Sequence, residues 1–278
     1  MKKGSFSTIL LVIILIFGLS LLLYPSFSDY WNSLHQTRVM DTYTENVSRL
    51  DDNVYDEIWE KAREYNKKLL QQDNIFELSN SMLQEYNENL NVAGNGVMGS
   101  IEIPKINCKL PIYHTVEDTV LQIAIGHIEW SSLPTGGTDT HCVLSGHRGL
   151  PSAKLFSDLN QMQEGDTFNL HIMDESLTYE VTKIQIVLPH EIENLLIEEG
   201  KDLCTLVTCT PYGINSHRLL VRAERTDDIV VGKTVRVTAD ASKIEPIIVA
   251  PVVAAPMLLV LLILLLLPKR KKYRRIDQ

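Results

Sequence analysis

The stretch Leu203-Cys-Thr-Leu-Val-Thr-Cys209-Thr-Pro-Tyr-Gly-Ile-Asn-Ser-His-Arg218-Leu-Leu-Val-Arg-Ala-Glu-Arg225 reads as two β-type runs joined by a turn. Leu203–Cys209 is rich in β-branched and apolar residues, and Thr-Pro-Tyr-Gly stops it with turn chemistry. Side chains alternate faces along a strand, so Cys204, Leu206 and Thr208 share one side, and Leu203, Thr205, Val207 and Cys209 share the other. Cys204 therefore reads as core, whereas Cys209 is presented where the strand runs into the loop. Arg218 opens the second run and can reach back across the turn toward Cys209. A fixed cation beside a thiol lowers its pKa and can hold a developing oxyanion.

A cysteine nucleophile also needs a proton partner, and the chain has 8 histidines. One has a matching context. His141-Cys-Val-Leu-Ser-Gly-His147-Arg-Gly-Leu-Pro reads as a short buried strand ending in Ser-Gly, with His147 just past its end, as Cys209 is at the end of its own strand. Pro151–Leu159 then reads as a short helix, with proline in its first turn and Leu155 and Leu159 on one face. His35 lies near an apolar terminus, His114, His171 and His190 fall in ordinary strand or loop contexts, and His141 starts a strand. Spacing alone does not separate His217 and His127 from the role. Taken singly, a cysteine near a strand end is most often packing, an arginine a surface ion pair, and a histidine a turn residue. Their matched contexts reverse that reading.

The Cys209 segment is accompanied by Ser145-Gly-His-Arg-Gly-Leu-Pro-Ser-Ala-Lys-Leu-Phe156, Asn95-Gly-Val-Met-Gly-Ser-Ile-Glu-Ile-Pro-Lys-Ile-Asn107 and Gly126-His-Ile-Glu-Trp-Ser-Ser-Leu-Pro-Thr-Gly-Gly137. In this order and wording the four segments resemble a sortase, and most closely class C, the pilus-assembling group. The resemblance covers roughly residues 95 to 225. Carried over by position, it implies that Cys209 is the nucleophile, His147 the general acid/base and Arg218 the stabiliser of substrate and oxyanion.

That resemblance implies a transpeptidase without a cofactor. The Cys209 thiolate would attack the carbonyl of the threonine in a Leu-Pro-x-Thr-Gly-like sorting signal, and His147 would protonate the leaving amine. The acyl-enzyme would pass to an amine, a pilin lysine in the pilus-assembling group. With water as acceptor the same site is a peptidase. Two other functions stay open: a sortase that anchors surface proteins to a cell-wall precursor, and an inactive surface-binding module that keeps the fold.

Class C enzymes commonly carry an N-terminal lid with an Asp-Pro-aromatic tip. At the corresponding place stands Gln72-Asp73-Asn74-Ile75-Phe76, which keeps an acid and an aromatic but lacks the proline and shifts the spacing. Asp73 and Phe76 are the candidate lid residues; equally, Asp73-Asn74 reads as a turn and Phe76 as a surface anchor. Ala223 stands where the family usually has glycine.

Both ends of the chain read as membrane segments. Thr8 to Tyr24 is an unbroken apolar and small run behind Lys2 and Lys3, long enough to cross a bilayer. A cleavable signal is the rival reading, but Tyr-Pro-Ser-Phe-Ser follows in place of a small-x-small cleavage site, which favours a retained anchor. Ile247 to Leu267 holds no charge and is followed by Lys269-Arg-Lys-Lys-Tyr-Arg-Arg275. The positive-inside rule puts that tail and Lys2–Lys3 in the cytoplasm and residues from about 25 to 246 outside, facing a Gram-positive cell wall.

The charge distribution fits. The chain carries a formal −9; without the basic ends, residues 4–268 hold 18 Lys+Arg against 34 Asp+Glu, a formal −16. Such a surface is poorly suited to nucleic acid. The cysteines and histidines lack Cys-x-x-Cys or His-Glu-x-x-His spacing, so no metal site is expected. Nothing fixes a disulfide, so Cys108, Cys142 and Cys204 are read as free.

The expected organisation is an N-terminal anchor or signal over 1–24, a helical appendage over 25–95, a catalytic barrel over 96–240, a second transmembrane helix over 247–267 and a basic tail over 268–278. Val54, Ile58, Ala62, Tyr65 and Leu69 recur at helical spacing, which predicts an amphipathic helix over 51–71 that packs on the barrel. From Gly96 the pattern turns mainly β, with runs at Val97–Ile103, Lys109–Tyr113, Thr140–Ser145, Thr167–Ile172, Leu177–Val187, Leu203–Cys209, Leu219–Arg225 and Thr234–Thr238. Many short strands with turn signals predict a barrel, compatible with the closed eight-stranded barrel of sortases.

Overall fold

The computed structural model describes residues 3–226. The expected strand at Thr234–Thr238, the second span at Ile247–Leu267 and the basic tail lie outside the described residues. Three α-helices precede the strands: α1 Lys3–Ser48, α2 Asp52–Leu70 and α3 Asn80–Glu88. The strands are β1 Val97–Ile103, β2 Cys108–His114, β3 Ile125–His127, β4 Thr140–Ser145, β5 Thr167–Ile172, β6 Glu175–Val187, β7 Asp202–Thr210 and β8 His217–Arg225. They close into a barrel in the order β1-β2-β3-β4-β7-β8-β6-β5, sealed by the antiparallel β1–β5 pair.

Helix α1 begins in one compact unit, which includes residues up to Ser28, and ends in another, which starts at Asp29. Its stretch Ile9–Ser48 is long and apolar enough, by length and composition, to cross a membrane. Ile13, Ile14, Phe17 and Leu21 all stand exposed there. The helix runs well beyond the Tyr24 boundary expected from the apolar run and continues through Pro25.

Within the unit that begins at Asp29, the helices share the barrel's core. Helix α2 buries Trp59, Ala62, Tyr65, Asn66 and Leu69, one helical stripe, against it. Asn66 spends its buried amide fully: it donates to the Leu133 carbonyl and Thr135 Oγ1 and accepts from the Leu133 N–H. Helix α3, which hydrophobic spacing did not reveal, starts at Ser79, whose hydroxyl accepts from the Met82 N–H. Tyr43 of α1 donates to the Met98 carbonyl at 2.9 Å and accepts from the Met173 N–H at 3.0 Å, joining helix to barrel.

Two departures from the expected elements bear on the site. Strand β3 is only three residues long, too short for alternation to signal it, and it pairs parallel to β2. Its Gly126 lies so close to the Thr115 backbone that any Cβ would collide with the carbonyl oxygen. The helix expected over Pro151–Leu159 is not formed; the segment is a series of turns ending in a 3-10 turn at Leu159–Gln161. Leu155 takes a left-handed φ of 39°, which breaks helical propagation. Helix α1 also captures the backbone groups that helical hydrogen bonds would use: Asp29 Oδ1 accepts from the Lys154 N–H at 2.7 Å, and Asn32 Nδ2 donates to the Ser152 carbonyl at 2.8 Å.

Candidate active site

Cys209 is the penultimate residue of β7, and the alternation expected from the sequence holds around it. Cys204 and Leu206 point into the main core, while Val207 joins a second apolar cluster on the outer face with Val143, Val187, Leu195 and Leu220. Cys209, half-buried, therefore stands at the end of an outer-face row, above Val207.

Arg218 lies on the neighbouring strand directly opposite Cys209 in the antiparallel β7–β8 register. Side chains of an opposed antiparallel pair project from the same face. The guanidinium of Arg218 donates through Nη1 to the Asn215 and His217 carbonyls, each at 3.2 Å, which holds it at the mouth of the connecting turn. That turn is closed by Ile214 and Asn215 N–H groups donating to the Pro211 carbonyl, and Asn215 takes a left-handed φ of 60°.

His147 follows β4, which runs parallel to β7 with Ser145 opposite Val207. The Gly146 N–H donates to the Val207 carbonyl at 3.0 Å and Thr208 Oγ1 donates to the Gly146 carbonyl at 2.7 Å. One residue beyond His147, Arg148 Nη1 donates to Thr210 Oγ1 at 3.1 Å. His147 is thus bracketed by contacts to the two residues that bracket Cys209. Gly146 sits on the interior side, where a Cβ would come within 2.7 Å of Phe156 and 2.9 Å of Ile125. Past the histidine, the Phe156 N–H returns to the His147 carbonyl at 3.1 Å and closes the loop that Asp29 and Asn32 hold.

Cys209, His147 and Arg218 thus come from three strand ends at one edge of the barrel. Of the histidines that spacing left open, His127 is fully buried, with Nε2–H donating to the Ser132 carbonyl at 2.8 Å and Nδ1 accepting from the Tyr86 hydroxyl at 3.0 Å. His217 opens β8 beside Arg218 and opposite Thr210, and its Nδ1 bonds Ser216. Buried His141 donates from Nδ1 to the Leu196 carbonyl and accepts at Nε2 from the Thr205 hydroxyl, both at 2.7 Å. Burial pushes its pKa down to about 4, so the ring is a neutral tie between β4, β7 and the loop before β7.

The Asp73–Phe76 segment links α2 to α3. Asp73 is exposed, and among the described residues no hydrogen bond joins it to Cys209, His147 or Arg218. Phe76 packs edge-on against Trp130 with ring centroids 5.1 Å apart, after an Asx turn in which its N–H donates to Asn74 Oδ1. Trp130 in turn packs against the outer-face cluster that contains Val207 and Leu220, the row below Cys209 and Arg218. Sequence reasoning passed over Arg148, Asp29, Asn32 and Trp130. Arg148 and Trp130 lay inside the quoted segments, but Asp29 and Asn32 carry no local signal, since only tertiary packing brings α1 to the loop. Among the described residues, no group of three or more His, Cys, Asp and Glu is arranged to hold a metal ion.

Comparison with known proteins bears on this geometry. A family model described as a sortase domain matches residues 101–226. The crystal structure of sortase C1 from Streptococcus agalactiae is similar, at 48% identity and a TM-score of 0.66, over 68% of this chain and 98% of that one. The structure of sortase C from Streptococcus pneumoniae, described as informative on pilin substrate specificity, matches at 42% identity and a TM-score of 0.62, over 68% of this chain and 96% of that one. Sortase D of Bacillus subtilis (strain 168) is 32% identical over 114 residues, 41% of this chain; the match spans about half of that relative, 54% of its length.

Proposed function

The chain belongs to the sortase family of cysteine transpeptidases, and from that premise we propose that it cleaves a Leu-Pro-x-Thr-Gly-like sorting signal between threonine and glycine and joins the acyl group to a pilin lysine. The observation that supports the reading is the shared register of β4 and β7, whose strand ends lead into His147 and Cys209, with Arg218 directly opposite Cys209 on β8. The likeness to the pneumococcal sortase C, a protein linked by its description to pilin specificity, supports the pilin as substrate.

In this mechanism the Cys209 thiolate attacks the threonine carbonyl and a tetrahedral oxyanion forms. Arg218 donates to it; a donor aimed at such an oxyanion is typically worth about 2.7–4 kcal/mol. His147, protonated, gives its proton to the glycine amine as the carbon–nitrogen bond breaks, leaving a thioester on Cys209. The incoming lysine amine attacks the thioester, the neutral imidazole takes the proton the amine loses, and the Cys209 thiolate departs, which restores the thiolate–imidazolium pair. Phe76, with Asp73, acts as a lid that rests on Trp130 and covers the apolar row leading to Cys209.

The N-terminal apolar helix supports a membrane anchor, and from sequence alone the uncharged run 247–267 followed by Lys269–Arg275 supports a second span with the basic tail cytoplasmic. On that reading both termini are cytoplasmic and the barrel faces outward. The function is tested by presenting the enzyme with a sorting-signal peptide and two competing amines, a pilin lysine peptide and a cell-wall cross-bridge peptide. Preferential ligation to the lysine peptide supports pilus polymerisation. Preference for the cross-bridge amine would replace it with wall anchoring, and no product with either would return the chain to the binding-module reading.

A further inference from the structure

Cys142 of β4 and Cys204 of β7 are directly opposed in the parallel register, and both side chains point into the barrel's core. They are 2% and 0% exposed. Neighbouring strands lie about 4.7–4.9 Å apart, inside the Cα window of about 4.4–6.8 Å that a disulfide spans. The other two cysteines are turned elsewhere. Cys108 directs its S–H to the Leu155 carbonyl at 3.9 Å, and Cys209, an odd number of residues from Cys204, is on the opposite face of β7.

We infer that Cys142 and Cys204 form an oxidisable pair, a site at which an intrabarrel disulfide staples β4 to β7. The two thiols differ in a way that suits such a reaction. Burial pushes the Cys142 thiol up, but the neighbouring Cys204 and His127 outweigh it and bring it down to about 6. Burial and the neighbouring Cys142 push Cys204 well up. Cys142 is then the attacking sulfur and Cys204 the resolving one. With a diazene oxidant, the Cys142 thiolate adds to one nitrogen of the N=N bond and a proton goes to the other. Cys204 sulfur then displaces that adduct, forming the S–S bond and expelling the hydrazide, which takes up the second thiol proton. Two thiols lose two electrons and two protons, and the diazene gains both.

The cross-link would close a long loop and restrict the unfolded chain more than the folded one. It would also fix the rung five residues before both His147 and Cys209. The chemistry does not depend on Cys209 being a nucleophile.

The test uses full-length Cys209→Ala protein, so that the presented thiol does not compete. One portion is oxidised while folded with a diazenedicarboxamide; a second is refolded from urea in glutathione disulfide buffer, which gives access to buried sulfur. Peptide mapping without reduction is expected to find residues 142 and 204 joined in at least one portion. The melting temperature of the joined form is expected to exceed that of the reduced form, with the gain reversed by dithiothreitol and absent from Cys142→Ser and Cys204→Ala variants. No 142–204 linkage in either portion, a linkage to Cys108 instead, or a joined form that melts lower would overturn the inference.

Discussion

His147 and Cys209 are flanked by matching side-chain contacts just past a parallel strand pair: Thr208 bonds Gly146 and Arg148 bonds Thr210, each 62 residues apart. The two residues proposed to react occupy the position between those contacts. Their placement is a property of strand register, and register is fixed because β4 and β7 each bury one face in the core and one in the outer cluster.

Removing either partner of Cys209 should therefore cost rate more than stability. His147→Ala is expected to lower turnover by about 10²–10⁴, and Arg218→Ala by about 10²–10³. Both sites are half-buried at the barrel's edge, so melting temperatures should stay close to the parent's. Steady-state kinetics beside thermal melts check this, and a large drop in melting temperature with rate preserved would reverse the assignment.

The loop after His147 is held from a distance. Asp29 and Asn32 of α1 bind the Lys154 N–H and Ser152 carbonyl, so replacing both with alanine should release the loop without touching substrate. Turnover is expected to fall about 10- to 100-fold, the scale of a displaced catalytic group, with KM little changed. A rise in KM at constant turnover would instead place these residues in substrate binding.

His141 predicts a pH dependence of stability. Its pKa of about 4 in the fold lies below the usual imidazole value of about 6.5, so the unfolded chain binds the proton more readily. Stability from this group is complete above about pH 6.5 and is lost as the pH falls toward 4, by about 3 kcal/mol in all. Urea titrations across that range should show His141→Gln losing less stability on acidification than the parent. Equal slopes would remove His141 as the source.

Much of this arrangement is legible in the sequence because strand alternation is a two-residue rule. It separated Cys204 from Cys209, and turn chemistry put Cys209, His147 and Arg218 at strand ends. What was not legible depends on partners distant in sequence. Strand β3 exists because three residues fit beside β2 with Gly126 against the Thr115 carbonyl. The stretch after Pro151 has helical spacing, but α1 takes its backbone groups and Leu155 turns left-handed. Helix α1 continues well past its apolar run to Ser48, since Tyr43 and Val47 gain burial against the barrel there.

The contact of Phe76 with Trp130 predicts how a lid would behave. Phe76→Ala removes an edge-on aromatic pair, worth about 0.5–1.5 kcal/mol beyond burial. Modification of Cys209 by a maleimide is expected to quicken about two- to tenfold as the segment lifts more often. An unchanged rate would make Phe76 a surface anchor for the α2–α3 connection.

Transpeptidation by this site requires that Cys209 carry the acyl group. Intact-mass spectrometry of the full-length enzyme, quenched after mixing with a Leu-Pro-x-Thr-Gly peptide, tests it most directly. The expected adduct has the mass of the peptide fragment ending in threonine, joined through the threonine carbonyl to Cys209, absent from Cys209→Ala and discharged by added amine. Product formation that persists in Cys209→Ala, or an adduct mapped to another residue, would contradict it.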